Sequence, residues 1–132
     1  MTDTMTLEEY HQLRRENRRR QKFNAQSVEM DGYTFQSGVE AGRWVELKLL
    51  RDIGQIANLR PHPRWVLLPG FKHRGKRYRE VSYTADFIYE ENGIIVVEDV
   101  KGGKATQTRD FRMRMKILLY QHPEFDFRIV ER

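Results

Sequence analysis

The chain contains no cysteine among its 132 residues, so it can form neither a disulfide bond nor a zinc site with thiolate ligands. Its four histidines, His11, His62, His73 and His122, are scattered without the spacing of metal ligands. No apolar run approaches the length of a membrane-spanning helix, so we expect no membrane partner. Any metal ion is therefore expected to be held by oxygen atoms, which favours Mg²⁺ or Mn²⁺.

Basic residues outnumber acidic ones, 24 to 19, and they are concentrated in three blocks. Arg60–Arg79 holds seven Lys/Arg and no acid, Lys101–Lys116 holds six against Asp110, and His11–Lys22 holds six against Glu16. A single block of this kind can be a solvated face, but three of them favour contacts with a phosphate backbone. We therefore predict a nucleic acid as the partner. The residues predicted to contact it are Arg18, Arg19, Arg74, Lys76, Arg77, Arg79, Lys104, Arg112 and Lys116.

The apolar periodicity and the turn signals predict one α/β domain with the core order α-β-β-β-α-β. Residues 1–36 form an extension that contains a basic helix over 6–22 and a small hairpin turning at Asp31-Gly32. Residues 37–132 form the core. Its predicted elements are a helix over 37–52, an extended connector over 60–63, a strand over 64–68, a basic loop over 71–77, strands over 83–89 and 94–102, a helix over 108–121 and a strand over 125–130.

The central hairpin of this core is the most informative feature of the chain. Asn92-Gly93 lies between two runs rich in β-branched and aromatic residues, a pattern typical of a two-residue type I′ turn. Such a turn places Asp86 opposite Asp99 and Thr84 opposite Lys101. Because opposed like charges repel, two facing carboxylates favour a divalent cation between them. Lys101 lies on the same face as Asp99, since strand side chains alternate.

Two carboxylates and a lysine around a hard cation suggest phosphodiester hydrolysis. Asp86 and Asp99 are the predicted metal ligands, the Val100 carbonyl is a further ligand, and Lys101 is expected to hold the attacking water. A three-residue turn would instead set Glu98 opposite Asp86. We prefer Asp99 because it alone shares a face with Lys101, and Glu98 is then a paired structural carboxylate. The structural alternative for the whole set is an ordinary exposed hairpin end.

Glu40 has two interpretations. With Ser37 it completes a capping box at the start of the second helix, which is the usual explanation of this spacing. It is also positioned to project from the helix start toward the hairpin and to supply a third metal-binding carboxylate.

These residues resemble the PD-(D/E)XK nuclease superfamily, in which an Asp on one strand precedes Asp/Glu-x-Lys on the next, behind a helix that bears Glu. Parts of the chain are similar to the Holliday-junction-resolving endonuclease of T-odd bacteriophages, and residues 23–132 are similar to small phage and prophage proteins. The segments that carry the likeness are 31–37, 37–40, 83–89, 97–102 and 122–124. Ala85 departs from the superfamily's proline, and Asp99 stands where the T-odd enzyme has glutamate.

The resemblance implies a restriction-endonuclease-like fold, a mixed central sheet flanked by helices. It also implies a Mg²⁺- or Mn²⁺-dependent endodeoxyribonuclease acting on branched or structured DNA, with Asp86, Asp99 and Lys101 as catalytic residues. It raises Glu40 from a cap to a catalytic helix carboxylate. By the same likeness we expect a homodimer in the cytoplasm of a bacterial host.

Three alternatives remain open at this point. The protein could be a nuclease without junction specificity, or a non-catalytic basic protein that binds nucleic acid on a nuclease fold. It could also be a basic RNA-associated domain in which Phe71, Tyr78 and Tyr83 stack on bases.

Overall fold

The computed structural model describes the backbone of residues 6–24, 26–102 and 107–132, and the side chains of these residues except 16–24. The chain divides into two units, Met1–Ala41 and Gly42–Arg132. Within the described residues there are three helices and a four-stranded mixed sheet with smaller two-stranded pairs. The predicted α/β class is therefore confirmed at this level.

The first unit contains a helix, a hairpin and the start of a second helix. In chain order its elements are α1 (Leu7–Asn24), β1 (Val28–Met30), β2 (Tyr33–Phe35) and the first residues of α2 (Gly38–Asp52). The Thr6 N–H donates to the Glu9 carboxylate at 3.0 Å, and the Glu9 N–H donates to the Thr6 hydroxyl at 3.2 Å, which makes the predicted capping box. The hairpin turns at Asp31-Gly32, with φ angles of 55° and 82°.

The second unit continues after α2 with eight strands and a third helix. They are β3 (Ala57–Pro61), β4 (Arg64–Leu68), β5 (Phe71–His73), β6 (Lys76–Tyr78), β7 (Val81–Thr84), β8 (Phe87–Glu91), β9 (Ile94–Lys101), α3 (Arg109–Gln121) and β10 (Asp126–Glu131). The main sheet has the strand order β10-β9-β8-β3, in which β10 runs parallel to β9 and the other pairs are antiparallel. Strands β4 and β7 form a two-stranded sheet, as do β5 and β6.

The β8–β9 hairpin has the register that the sequence predicts. Phe87 faces Glu98 and Glu91 faces Ile94, so the turn contains the two residues Asn92 and Gly93 alone. Their φ angles are 53° and 79°, as a type I′ turn requires. The alternative three-residue turn, which would place Glu98 opposite Asp86, is therefore wrong.

The strand predicted over 83–89 is divided at Ala85-Asp86. The Ala85 N–H donates to the Pro63 carbonyl at 3.0 Å, whereas the Asp86 N–H donates to the Glu98 carbonyl at 3.1 Å. The chain thus leaves β4 and joins β9 within two residues. Thr84 consequently pairs with Arg64, and its predicted place opposite Lys101 is wrong.

Two further segments are more regular than the sequence suggests. The first half of the predicted connector over 60–63 is strand, because β3 pairs with β8 as far as Pro61. The predicted basic loop over 71–77 is the β5–β6 hairpin, which turns at Arg74-Gly75 with φ angles of 49° and 80°.

A buried cluster beside the β4–β7 pair fixes α3 against the strands of the second unit. It contains Leu67, Tyr83, Val97, Phe111 and Leu118, all of which are buried. Thr108 begins α3, and its hydroxyl accepts the Phe111 N–H at 3.1 Å. This packing holds α3 close to β7 and β9, the strands that carry the candidate site.

Candidate active site

Asp99 and Lys101 lie on one face of β9 and contact each other. The Lys101 Nζ is 3.3 Å from the Asp99 Oδ1, and Asp99 is buried. The same Nζ lies 4.1 Å from the centre of the Phe111 ring, a cation–π contact with α3. The lysine ammonium is therefore held between a carboxylate and an aromatic ring.

Asp86 lies at the break between β7 and β8 and is bonded to the same strand. Its Oδ2 accepts the Val100 N–H at 2.6 Å, a charge-assisted hydrogen bond, and its side chain is half-buried. Its backbone carbonyl accepts the His62 N–H at 2.9 Å. Asp86, Asp99, Val100 and Lys101 are thus brought together at one end of β9, as predicted from the hairpin.

Tyr83 is part of this cluster, whereas the sequence predicts for it only a strand aromatic or a base-stacking residue. Its hydroxyl donates a hydrogen bond to the Asp99 Oδ2. Burial raises the pKa of Tyr83, and the charges of Asp99 and then Asp86 raise it further. The hydroxyl therefore stays protonated and acts as a donor. A buried tyrosine normally needs a hydrogen-bond partner, and that requirement could have indicated this contact.

Glu98 points to the opposite face of β9 and is fully buried in an ion pair. Arg43 of α2 donates to both of its carboxylate oxygens, at 2.8 Å and 2.7 Å, and the Tyr89 hydroxyl donates to one of them. The hydrogen bond to Glu98 raises the pKa of Arg43, and burial raises the pKa of Tyr89. The prediction that Glu98 is a paired structural carboxylate is confirmed.

Glu40 lies in the first turn of α2 and is buried. Its N–H donates to the Ser37 hydroxyl at 3.2 Å, and its carboxylate accepts the Gln36 N–H at 3.3 Å. The capping interpretation is therefore confirmed, with Gln36 as the residue bonded by the carboxylate. The catalytic interpretation of Glu40 stays a prediction.

The chemistry of the donor atoms suits a hard divalent cation. Asp86 and Asp99 offer carboxylate oxygens, the ligands that Mg²⁺ and Mn²⁺ prefer. Within residues 6–24, 26–102 and 107–132 no three His, Cys, Asp or Glu side chains form a group that could hold a metal ion. Further ligands would have to come from the backbone, such as the predicted Val100 carbonyl, from water or from the substrate.

The predicted DNA contacts fall on two described surfaces. Arg74, Lys76, Arg77 and Arg79 are exposed on or beside the β5–β6 hairpin. Arg112 and Lys116 are exposed on α3, four residues apart and hence on one side of the helix. Lys104 lies outside the described residues, and the side chains of Arg18 and Arg19 lie outside the described side chains.

Comparison with known proteins identifies the family of the chain. No helix in the described parts of the chain is long and apolar enough to cross a membrane. No curated protein and no solved structure matches the sequence. A family model described as "Protein of unknown function (DUF1064)" matches residues 20–132, which is most of the chain. The protein therefore belongs to the DUF1064 family.

Proposed function

We propose that the protein is a metal-dependent endodeoxyribonuclease of the PD-(D/E)XK type, with a restriction-endonuclease-like core. The observation that carries the proposal is the cluster at the end of β9. Asp99 contacts Lys101, and Asp86 is bonded to the backbone of Val100 between them. The order Asp, then Asp-x-Lys on the next strand of a hairpin, is the one by which the chain resembles that superfamily.

Asp86 and Asp99 would hold one or two divalent cations, Mg²⁺ or Mn²⁺, with the Val100 carbonyl as a further ligand. By the resemblance, Glu40 would be the catalytic helix carboxylate. Such a cation, when bound, supplies Lewis-acid stabilisation of the charge on the reacting phosphate. Tyr83 and Lys101 fix the two oxygens of Asp99, so this carboxylate has little freedom to turn. The Lys101 ammonium, 3.3 Å from Asp99, would donate a hydrogen bond to the attacking water and offset negative charge on the phosphate.

DNA is the proposed partner, and branched or structured DNA is the proposed substrate. The exposed basic residues of the β5–β6 hairpin and of α3 would contact phosphates. Each chain carries one such cluster of Asp86, Asp99 and Lys101, so symmetric cleavage of two strands calls for a homodimer. Sedimentation at working concentration measures that state directly.

The test is cleavage of a labelled four-way junction and of a linear duplex with the same arms, in Mg²⁺, in Mn²⁺ and in EDTA. We expect metal-dependent cutting of the junction. Asp86→Asn and Lys101→Ala should lower the rate by roughly 100-fold or more, the scale of removing a positioned acid–base group. Asp52→Asn, an exposed carboxylate at the end of α2, is the matched control and should cut at the parent rate.

Equal cutting of both substrates would support nuclease activity but contradict a preference for the junction. Salt-dependent binding without cutting in either metal would instead establish the non-catalytic DNA-binding alternative. Full activity of the Asp86→Asn variant would show that the cluster is not the active site.

A further inference from the structure

The β5–β6 hairpin, residues 71–78, carries two exposed aromatic rings that no core requires. Phe71 and Tyr78 face each other across the two strands, with ring centres 5.0 Å apart and planes 12° from parallel. Their exposed fractions are 46% and 39%. Every residue of the two strands is exposed, so the stack stabilises the hairpin but buries nothing beneath it.

The charges of this hairpin are unbalanced. Lys72 faces Arg77, and like charges placed directly opposite destabilise a strand pair. The nearest carboxylate along the chain, Glu80, is paired with Arg64 instead. Among the described residues no ion pair involves the hairpin cations Lys72, Arg74, Lys76, Arg77 or Arg79. An anion bound here would relieve the repulsion.

Rings and cations line the same groove. Its volume is about 720 Å³, and its walls include Phe71, Tyr78, Lys72, Arg77 and Arg79. The Lys76 Nζ lies 5.2 Å from the centre of the Tyr78 ring, so the positive charge reaches the aromatic stack itself. A ligand of this groove should therefore combine a flat π face with a negative charge.

We infer that the β5–β6 hairpin binds an unpaired nucleotide of single-stranded or branched DNA. Its base joins the stack of Phe71 and Tyr78, and its flanking phosphates contact Lys72, Arg77 and Arg79. Bases inside a duplex are stacked on each other and offer no free face, whereas unpaired bases do. Stacking on aromatic side chains does not depend strongly on which base is bound. The choice of DNA rests on the proposed function, which this inference deepens by naming the part of the substrate that the hairpin recognises.

The test uses a single-stranded DNA oligonucleotide with one central 2-aminopurine, whose fluorescence falls when the base stacks. A duplex and an RNA of the same sequence are measured beside it. EDTA is present throughout, so that binding is measured without cleavage. We expect quenching and tighter binding with single-stranded DNA than with the duplex. Phe71→Leu, which removes the ring but keeps apolar bulk, should weaken single-strand binding by roughly 5-fold or more and reduce the quenching.

Two control variants and a stability measurement separate the effect of stacking on binding from the effects of charge and of folding. Tyr78→Phe keeps the ring and should bind as the parent does. Arg77→Gln should weaken single-strand and duplex binding alike and lower the salt dependence by about one phosphate contact. Because every residue of the two strands is exposed, the urea midpoint of each variant should stay close to the parent value.

Equal affinity of the Phe71→Leu variant and the parent, or the absence of quenching, would overturn the inference. Tighter binding of the RNA would overturn its assignment to DNA. If the protein quenches 2-aminopurine as expected but cuts no substrate in Mg²⁺ or Mn²⁺, the proposed nuclease activity is refuted and the binding of an unpaired base by the hairpin stands.

Discussion

Glu40 has a structural role as a helix cap and a predicted catalytic role. A single substitution can test the two roles separately. Its bond to the Gln36 N–H needs only an oxygen acceptor, which the amide of glutamine also provides. Metal binding needs the negative charge, which glutamine lacks. Glu40→Gln should therefore keep the hydrogen bond to Gln36 and still lower Mg²⁺-dependent cleavage by about 10-fold or more.

The control for this prediction is Ser37→Ala, which removes the other half of the cap and leaves the charge in place. We expect it to destabilise the protein by about 1 kcal/mol and to leave the cleavage rate of the folded protein unchanged. If Glu40→Gln cuts at the parent rate, Glu40 is a helix cap and nothing more.

The ion pair of Arg43 with Glu98 joins two elements, α2 and β9. Two of the guanidinium bonds of Arg43 end on the fully buried Glu98 carboxylate, and a third goes to Glu46. Removing one partner of a buried pair leaves an uncompensated charge. We expect Arg43→Met to lower the free energy of unfolding by about 3 kcal/mol or more. Arg51→Met, further along the same helix and exposed, should change it by no more than about 0.5 kcal/mol in a urea titration.

Adding Glu98→Gln to Arg43→Met should restore much of that loss. The double variant has no charge at positions 43 and 98, and the amide oxygen still accepts the hydrogen bond of the Tyr89 hydroxyl. Equal stability of the single and double variants would show that the buried charge is not the cause.

At the level of elements, the sequence predicts what local chemistry determines. Asn92-Gly93 specifies its own turn and so fixes the β8–β9 register, and Thr6 with Glu9 specifies the start of α1. It does not reveal the break at Ala85-Asp86, because that break depends on the carbonyls of Pro63 and Glu98, which are distant in the chain. The hairpin is local, so its register alone predicts that Asp86, Asp99 and Lys101 lie together. The contact of Arg43 with Glu98 joins segments that are distant in the chain, so the sequence does not predict it.

Two tyrosines make the stability of the whole molecule sensitive to alkaline pH. Burial, followed by contacts with carboxylates, raises the pKa values of Tyr83 and Tyr89 above their ordinary value of 10.0. Above pH 10 the unfolded chain therefore loses protons that the folded protein keeps, and the free energy of unfolding falls as the pH rises. The contribution of the two tyrosines to the free energy of unfolding is fully present below pH 10 and is lost as the pH rises further.

We expect each of these tyrosines to add a slope of up to about 1.4 kcal/mol per pH unit above pH 10. Urea titrations at pH 8, 10 and 11 measure that slope. The Tyr83→Phe/Tyr89→Phe variant is expected to start less stable but to lose stability less steeply, since it lacks the two hydroxyl groups whose pKa values folding raises. Identical slopes in the variant and the parent would refute this origin.

The hydrogen bond from the Val100 N–H to Asp86 gives the site a built-in spectroscopic reporter. Most amides of β9 bond to neighbouring strands, but the chemical shift of this one depends on the charge and position of a candidate ligand carboxylate. A change in what Asp86 binds therefore alters a single backbone resonance directly, in an isotope-labelled protein that carries no dye, no substrate and no substitution. Occupancy of the site can in this way be followed separately from turnover.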